Sequence, residues 1–209
     1  MKLLVVGASG LVGSHVLKRA LADERVSQVV APSRRALTEH SKLVAPVVDF
    51  AQLPSDAHWW NADAVICALG TTMKQAGSKE AFKRVDHEYP LGVAKRARQQ
   101  GTLTYVLNSA TGADAASRFF YNQVKGELER DLTDCGFTSL THVRPGLISG
   151  PRQEFRLGER AAECVLTLLG PLLPKKWRLN PADNIARALL EAAIAARPGV
   201  HVVRSAELA

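Results

Sequence analysis

Tyr121 and Lys125 stand four residues apart in the run Phe120-Tyr121-Asn122-Gln123-Val124-Lys125-Gly126-Glu127. On a helix that spacing puts both side chains on one face. A nearby ammonium favours the phenolate and lowers a tyrosine pKa from about 10, which makes the phenol a general acid or base nearer neutral pH. Ser109, upstream in Asn108-Ser109-Ala110, closes an apolar run and could hold a substrate oxygen. A Tyr–Lys neighbour pair is also common on helix surfaces, so the chemical reading needs a second motif.

That motif is the turn Gly7-Ala8-Ser9-Gly10-Leu11-Val12-Gly13, placed after the apolar run Leu3 to Val6 and before a helical pattern with Val16, Leu17, Ala20 and Leu21. Gly7 permits a tight turn, Gly10 lets a pyrophosphate approach the backbone, and Gly13 lets helix and strand pack closely. The free amides of the helix N-terminus then face phosphate charge. After the second apolar run, where an acid selective for NAD usually stands, the chain has Ala31-Pro32-Ser33-Arg34-Arg35. A hydroxyl and two guanidinium groups suit a ribose 2′-phosphate, so NADP(H) is expected over NAD(H). A solvated loop with a chance arginine pair is the alternative.

The elements that must position these groups alternate. Candidate strands are Leu3 to Val6, Val26 to Ala31, Leu43 to Val48, Ala64 to Leu69, Leu103 to Leu107, Leu140 to Val143 and Val200 to Val203. Several are apolar at consecutive positions, as in a parallel sheet covered on both faces. This is the pattern of a doubly wound α/β domain. Phe120, Val124, Leu128 and Leu132 recur every four residues and predict a helix ending near Gly136. A second helix is predicted from Pro181 with Asn180 as its N-cap. The helical spacing Phe82, Val85, Tyr89, Val93, Ala97 contains Pro90, which predicts a break or a fresh start there.

The 209 residues, with 46% hydrophobic and 22% charged, suit one globular domain over 1–209 and exclude a disordered or collagen-like chain. Cys67, Cys135 and Cys164 have no metal-ligand or disulfide spacing and suit a reducing compartment. No apolar stretch approaches the ~18 residues of a membrane span, so a cytoplasmic protein without a membrane partner is expected. The net charge of +7 is dispersed, with its densest groups at Arg34-Arg35 and Lys175-Lys176-Trp177-Arg178, so a nucleic-acid partner is not expected. The six histidines are scattered and no metal is assigned. Trp59-Trp60 is read as core, although an exposed binding patch is the alternative.

Together Gly7/Gly10/Gly13, Ser109, Tyr121 and Lys125 resemble the short-chain dehydrogenase/reductase superfamily. Ala68-Leu69-Gly70-Thr71-Thr72, Arg84-Val85-Asp86, the Tyr121 to Lys125 run and Arg144-Pro145-Gly146 look like its atypical TIP30/CC3-like oxidoreductase branch. The resemblance implies a Rossmann-type fold with a mostly parallel seven-stranded sheet. It makes Tyr121 the proton donor to a substrate carbonyl, Lys125 a second contact to the nicotinamide ribose, and Ser109 the group that orients the substrate. It implies cofactor contacts at Gly7, Ser9, Gly10, Leu11, Val12, Gly13, Ser33, Arg34 and Arg35. Asp49 would reach the adenine, Ala68, Leu69, Gly70 and Thr71 would line the adenosine side, and Pro145, Gly146 and Ile148 would lie near the carboxamide. The superfamily's classical Asn-Ala-Gly after strand four is replaced by Ala68-Leu69-Gly70, and the superfamily's usual catalytic asparagine has no counterpart among Val85, Asp86 and His87.

The expected function is an NADP(H)-dependent oxidoreductase that moves hydride between nicotinamide and a small carbonyl or alcohol, as a monomer or homodimer. Residues 147–180, including the Leu157 to Leu173 segment, would form a small substrate-side region. The rival readings are a non-catalytic NADPH-binding regulator acting through a protein partner and a sugar-nucleotide epimerase, for whose substrate lobe the stretch after Gly150 leaves little room.

Overall fold

The computed structural model describes residues 1–149 and 179–209. Within them the strands are β1 (Lys2–Val6), β2 (Gln28–Val30), β3 (Leu43–Val44), β4 (Ala64–Cys67), β5 (Thr104–Asn108), β6 (Ser139–Arg144), β7 (Ile148–Ser149), β8 (Asn180–Pro181) and β9 (Gly199–Arg204). Seven of them form one wholly parallel sheet of order β3-β2-β1-β4-β5-β6-β9, and β7 pairs with β8 in a separate ladder. All seven expected strands are present. The third is shorter than its apolar run because the ladder with β2 stops at Val44, after which a single Ser33–Val47 bridge continues the contact.

Among the described residues the α-helices are α1 (Leu11–Ala22), α2 (Met73–Ala76), α3 (Lys79–Lys83), α4 (Tyr89–Gln99), α5 (Phe120–Thr133) and α6 (Ala182–Ala195). Successive residues of a strand face opposite sides, so Leu3 and Val5 of β1 meet one layer while Leu4 and Val6 meet the other. Val16 and Ala20 of α1 and Ile185 and Leu189 of α6 cover the first face. Val93 and Ala97 of α4, with Leu128 and Leu132 of α5, cover the second, together with fully buried Trp60. Trp60 is therefore core, as read from the sequence, and its Nε1 donates to the Pro54 carbonyl at 2.7 Å. The strand order reverses between β1 and β4, and in open parallel sheets that reversal opens a crevice at the carboxyl ends of the strands.

One helix start meets expectation and one differs. An α-helix starts afresh at Pro90, as its missing amide donor required. Residues Arg84–Glu88 take a π turn, in which the Tyr89 amide bonds back to the Arg84 carbonyl, and α4 continues directly with Pro90 in its first turn. The wider turn accommodates the amide that proline lacks and carries Asp86 and His87 inward, where both are buried. At the other site α6 begins at Ala182, and Asn180 does not cap it. The Asn180 side chain is already engaged: Oδ1 accepts from the Gly146 amide at 2.7 Å and the Ser205 hydroxyl at 2.8 Å, while Nδ2 donates to the Ser205 carbonyl. It fastens the end of β6 to the turn after β9. The residues 150–178, with most of the expected 147–180 region, Cys164 and the Lys175 to Arg178 cluster, lie outside the described residues.

The seat of α5 is set by a glycine. A Cβ on Gly126 would fall 2.1 Å from backbone atoms of Asp114 and Ala115, so the loop before α5 crosses the helix in direct backbone contact. Gly126→Ala is expected to lift α5 off that loop and cost about 2 kcal/mol or more, as overpacked interiors do. A lowered urea midpoint with an unchanged slope is the measurement.

Candidate active site

Expected site residues from five strands converge at the carboxyl edge of the sheet. The glycine turn follows β1, Ser33 to Arg35 follow β2, Ala68 to Thr71 follow β4, Ser109 follows β5, and Pro145 and Gly146 follow β6. The first turn is held in place by geometry that side chains would spoil. Gly7 has φ +86°, and a Cβ there would lie 2.6 Å from the Ala68 backbone; on Gly13 it would lie 2.0 Å from the Gly7 carbonyl. Gly10 and Ser9 stay exposed at the start of α1, whose first turn carries no acidic side chain and has no side-chain cap. Helix amides left open in this way suit a phosphate. Leu11 is half-buried beside them, and Val12 packs into the core.

Beyond β2, Ser33 is buried and its Oγ accepts from the Arg35 amide, so the hydroxyl faces into the loop. Arg34 and Arg35 are exposed and have no ion-pair partner among the described residues. Asp49 is exposed after β3 and its carboxylate accepts from the Ala51 amide at 2.9 Å. On the far side, the Pro145 carbonyl accepts from Thr111 at 2.8 Å, and Ile148 lies in the β7–β8 ladder.

Tyr121 and Lys125 occupy the first turns of α5, as their spacing required. Phe82 of α3, fully buried, packs its ring 5.7 Å from both Phe120 and Tyr121 and orients the helix start. The Tyr121 residue keeps 41% of its surface exposed, whereas Lys125 keeps 3%. A residue that sequence reasoning left without a role completes the group. Asp86, on the π turn, receives Lys125 Nζ on Oδ1 at 2.7 Å and the Thr71 amide on Oδ2 at 2.8 Å. Gly70 runs alongside: a Cβ there would lie 3.4 Å from Asp86 Oδ1 and 4.0 Å from Lys125 Nζ. The loop after β4 therefore lies directly against the buried pair. Two more contacts tie α3 and the π turn to α5, a Lys83–Glu127 ion pair at 3.1 Å and a His87–Asp131 hydrogen bond at 2.8 Å.

These contacts reverse one expectation. Burial pushes the Tyr121 phenol up; the Lys125 ammonium pulls it down, Asp86 adds to the rise, and the net direction is above its ordinary value. Burial outweighs the ammonium that was to lower it. Lys125 itself is pulled down by burial but held above its ordinary 10.5 on balance, chiefly by Asp86.

Ser109 is buried, and its hydroxyl donates to Glu129 of α5. Glu129 also receives Arg144 of β6 through two guanidinium nitrogens, Nε at 3.0 Å and one terminal nitrogen. The Ser109 proton is thus committed to an internal carboxylate, and a substrate oxygen at this place would have to compete for it. Glu129 carried no sequence signal beyond lying on an expected helix, and Arg144 entered only through the Arg144-Pro145-Gly146 resemblance, with no role assigned.

Because its folded pKa is raised, Lys125 contributes stability that is fully present below about 10.5 and is lost as pH climbs through the higher folded value. Lys125→Met leaves a buried carboxylate without its partner and is expected to cost about 3 to 5 kcal/mol at neutral pH, read by chemical denaturation.

No family model matches the chain. It is 37% identical over 208 residues to the protein fmp52, mitochondrial, of Aspergillus fumigatus, covering 93% of this chain and 88% of that one. It is 37% identical over 194 residues to the protein HTATIP2 of Rattus norvegicus, covering 89% and 78%. Among solved structures, MoeE5 in complex with UDP-glucose and NAD superposes with a TM-score of 0.73 at 17% identity, over 97% of this chain and 75% of that one. The Bordetella bronchiseptica enzyme WbmH in complex with NAD+ gives 0.69 at 16% identity, over 98% and 75%. The fmp52 relatives, named as mitochondrial, overturn the expectation of a cytoplasmic location. With the fold, the glycine turn and the Tyr121–Lys125 helix in place, the likeness to fmp52 and HTATIP2 is decisive: the chain belongs to the HTATIP2 and fmp52 family, an atypical branch of the Rossmann-fold short-chain dehydrogenases/reductases.

Proposed function

We propose that the protein is an NADP(H)-dependent oxidoreductase acting on a small carbonyl or alcohol. The observation that carries this reading is the placement of Tyr121 and Lys125 on α5 against the β4 loop, in the same crevice edge as the exposed helix amides of the glycine turn. The residues fit a dinucleotide. Gly7 and Gly13 keep the turn free of side chains, and Ser9, Gly10, Leu11 and Val12 start a helix whose amides would hold the diphosphate. Ala68, Leu69, Gly70 and Thr71 would line the middle of the cofactor, Asp49 would reach the adenine, and Pro145, Gly146 and Ile148 would border the carboxamide. Arg34 and Arg35, charged and without partners among the described residues, would hold the ribose 2′-phosphate.

Bound NADP(H) would supply or accept the hydride. Tyr121 donates a proton to the carbonyl oxygen in reduction and removes it in oxidation, contributing about 10² to 10⁴ in rate. Lys125 supports the phenol from one turn below and presents its remaining N–H groups to the ribose. The Ser109 hydroxyl, shared with Glu129, would border the substrate oxygen.

A regulatory NADPH-binding role is the second reading, favoured by the internal commitment of the Ser109 proton to Glu129. Cofactor oxidation across a panel of small aldehydes and ketones separates the two: turnover supports the enzyme, and tight binding with no turnover supports the regulator. Titration with each coenzyme is expected to show tighter binding of NADPH than NADH. Replacing Arg34 and Arg35 together by alanine should erase that preference by weakening NADPH alone, at about 1.5 to 3 kcal/mol for each charge-assisted bond lost. Tyr121→Phe should bind NADPH as the parent does and lose about 10² to 10⁴ in kcat; undiminished turnover would remove Tyr121 from the mechanism.

A further inference from the structure

The segments that flank Tyr121 expose apolar side chains to solvent. Phe119, which precedes α5, keeps 75% of its surface exposed, the most of any bulky apolar residue among the described residues. Leu147 after β6 keeps 61%, and Met73 at the start of α2 keeps 40%. These residues are far apart in sequence but stand on segments that are tied together. The Asp114 amide donates to the Asn122 carbonyl at 3.1 Å and joins the loop after β5 to the start of α5. On the same loop the Thr111 amide holds the Pro145 carbonyl, two residues before Leu147. From the other side the Thr71 amide rests on Asp86 beside Lys125, and Met73 follows two residues later. Apolar side chains gathered on one rim in this way mark a ligand groove.

The polar side chains of the same segments are engaged by internal partners. Ser109 gives its proton to Glu129, and Thr111 gives its own to the Arg144 carbonyl at 3.0 Å. Thr72 Oγ1 accepts from the Gln75 amide at 3.2 Å as the cap of α2, and Ser117 accepts from the Phe119 amide at 3.2 Å. Lys79 lies over the Phe120 ring, 5.3 Å from its centroid. A substrate rich in hydroxyl groups, such as a sugar, would give up water at this rim and find these partners taken. Each hydroxyl left unpaired weakens its binding. An alkyl or aryl body has no hydrogen bonds to lose there, and it withdraws the exposed apolar surface from water.

We propose that the substrate of this site is a carbonyl compound with an apolar body, an alkyl or aryl aldehyde or ketone, whose oxygen meets Tyr121 while its carbon chain lies across Phe119, Leu147 and Met73. This rests on the oxidoreductase reading above and adds the substrate class to it. The carbonyl end is the same in every member of that class, so the polar contacts at Tyr121 do not rank them. The apolar rim does: Phe119 and Leu147 determine specificity by holding the chain, away from the reacting atoms. A methylene fully withdrawn from water strengthens binding about fourfold, and one half covered about twofold.

The test has one series without turnover and one with it. Butanamide, hexanamide and octanamide carry an unreactive carbonyl on lengthening chains, and calorimetry with NADPH present should show Kd falling about twofold or more per methylene. In the second series butanal, hexanal and octanal are reduced by NADPH, and kcat/KM should climb by the same factor. Phe119→Ser removes a side chain that is already mostly in water, so the variant should fold as the parent does and flatten both trends. Val200→Ser removes an exposed apolar side chain at the start of β9, away from the carboxyl edge, and should keep the parent's trends. Equal flattening by both variants would mean non-specific adsorption and overturn the proposal. A kcat/KM level with chain length, or calorimetric binding of UDP-glucose tighter than that of octanamide, also overturns it; turnover of butanal would then leave the oxidoreductase reading standing. If no aldehyde is turned over, that reading fails, and the amide series alone decides whether the rim takes an apolar body.

Discussion

The geometry of the site depends on a buried ion pair that joins three separate parts of the chain. Asp86 from the π turn holds Lys125 from α5 and the Thr71 amide from the β4 loop, each at hydrogen-bond distance and away from solvent. Neither charge could be buried alone, since an unpaired ion in a protein interior carries a penalty of several kcal/mol. The pair thus fixes the three segments relative to one another: moving any one of them strands a charge or an amide. The segments it fixes are the ones that would line a cofactor and act on a substrate.

A second network does the same on the other side of α5. Glu129 receives Arg144 and Ser109, tying the helix to the ends of β6 and β5. Between these anchors Tyr121 is the member left substantially open, with Phe82 setting its ring against the buried side. The arrangement leaves a phenol at the mouth of a rigid crevice while its neighbours are held from behind. Rigid support of an exposed reactive group is what orientation-dependent catalysis requires.

Much of this was legible from residue order. The runs of consecutive apolar residues in several strands announced a sheet covered on both faces, and Gly7, Gly10 and Gly13 announced the turn at its head because backbone approach leaves no freedom of residue type there. Tyr121 and Lys125 were visible because a helix makes i and i+4 neighbours. Asp86 was visible only as part of the Arg84-Val85-Asp86 resemblance; its pairing was not, since its partners lie 15 and 39 residues away in sequence. Pro90 announced a break or a fresh helix start, and a helix does start there; the π turn that leads into it had no local signal. Asn180 before Pro181 had the local form of a helix cap, and tertiary hydrogen bonds to Gly146 and Ser205 took the side chain elsewhere.

The sequence by itself determined the parallel sheet, the glycine turn, the amphipathic α5 and the shared face of Tyr121 and Lys125, because these follow from periodicity and backbone sterics over a few residues. The tertiary structure decided the electrostatics: which carboxylate meets Lys125, where the Ser109 proton goes, and the burial that displaces the Tyr121 phenol upward. Burial and charge pairing are sums over groups far apart along the chain, and only folding brings those groups within reach of each other.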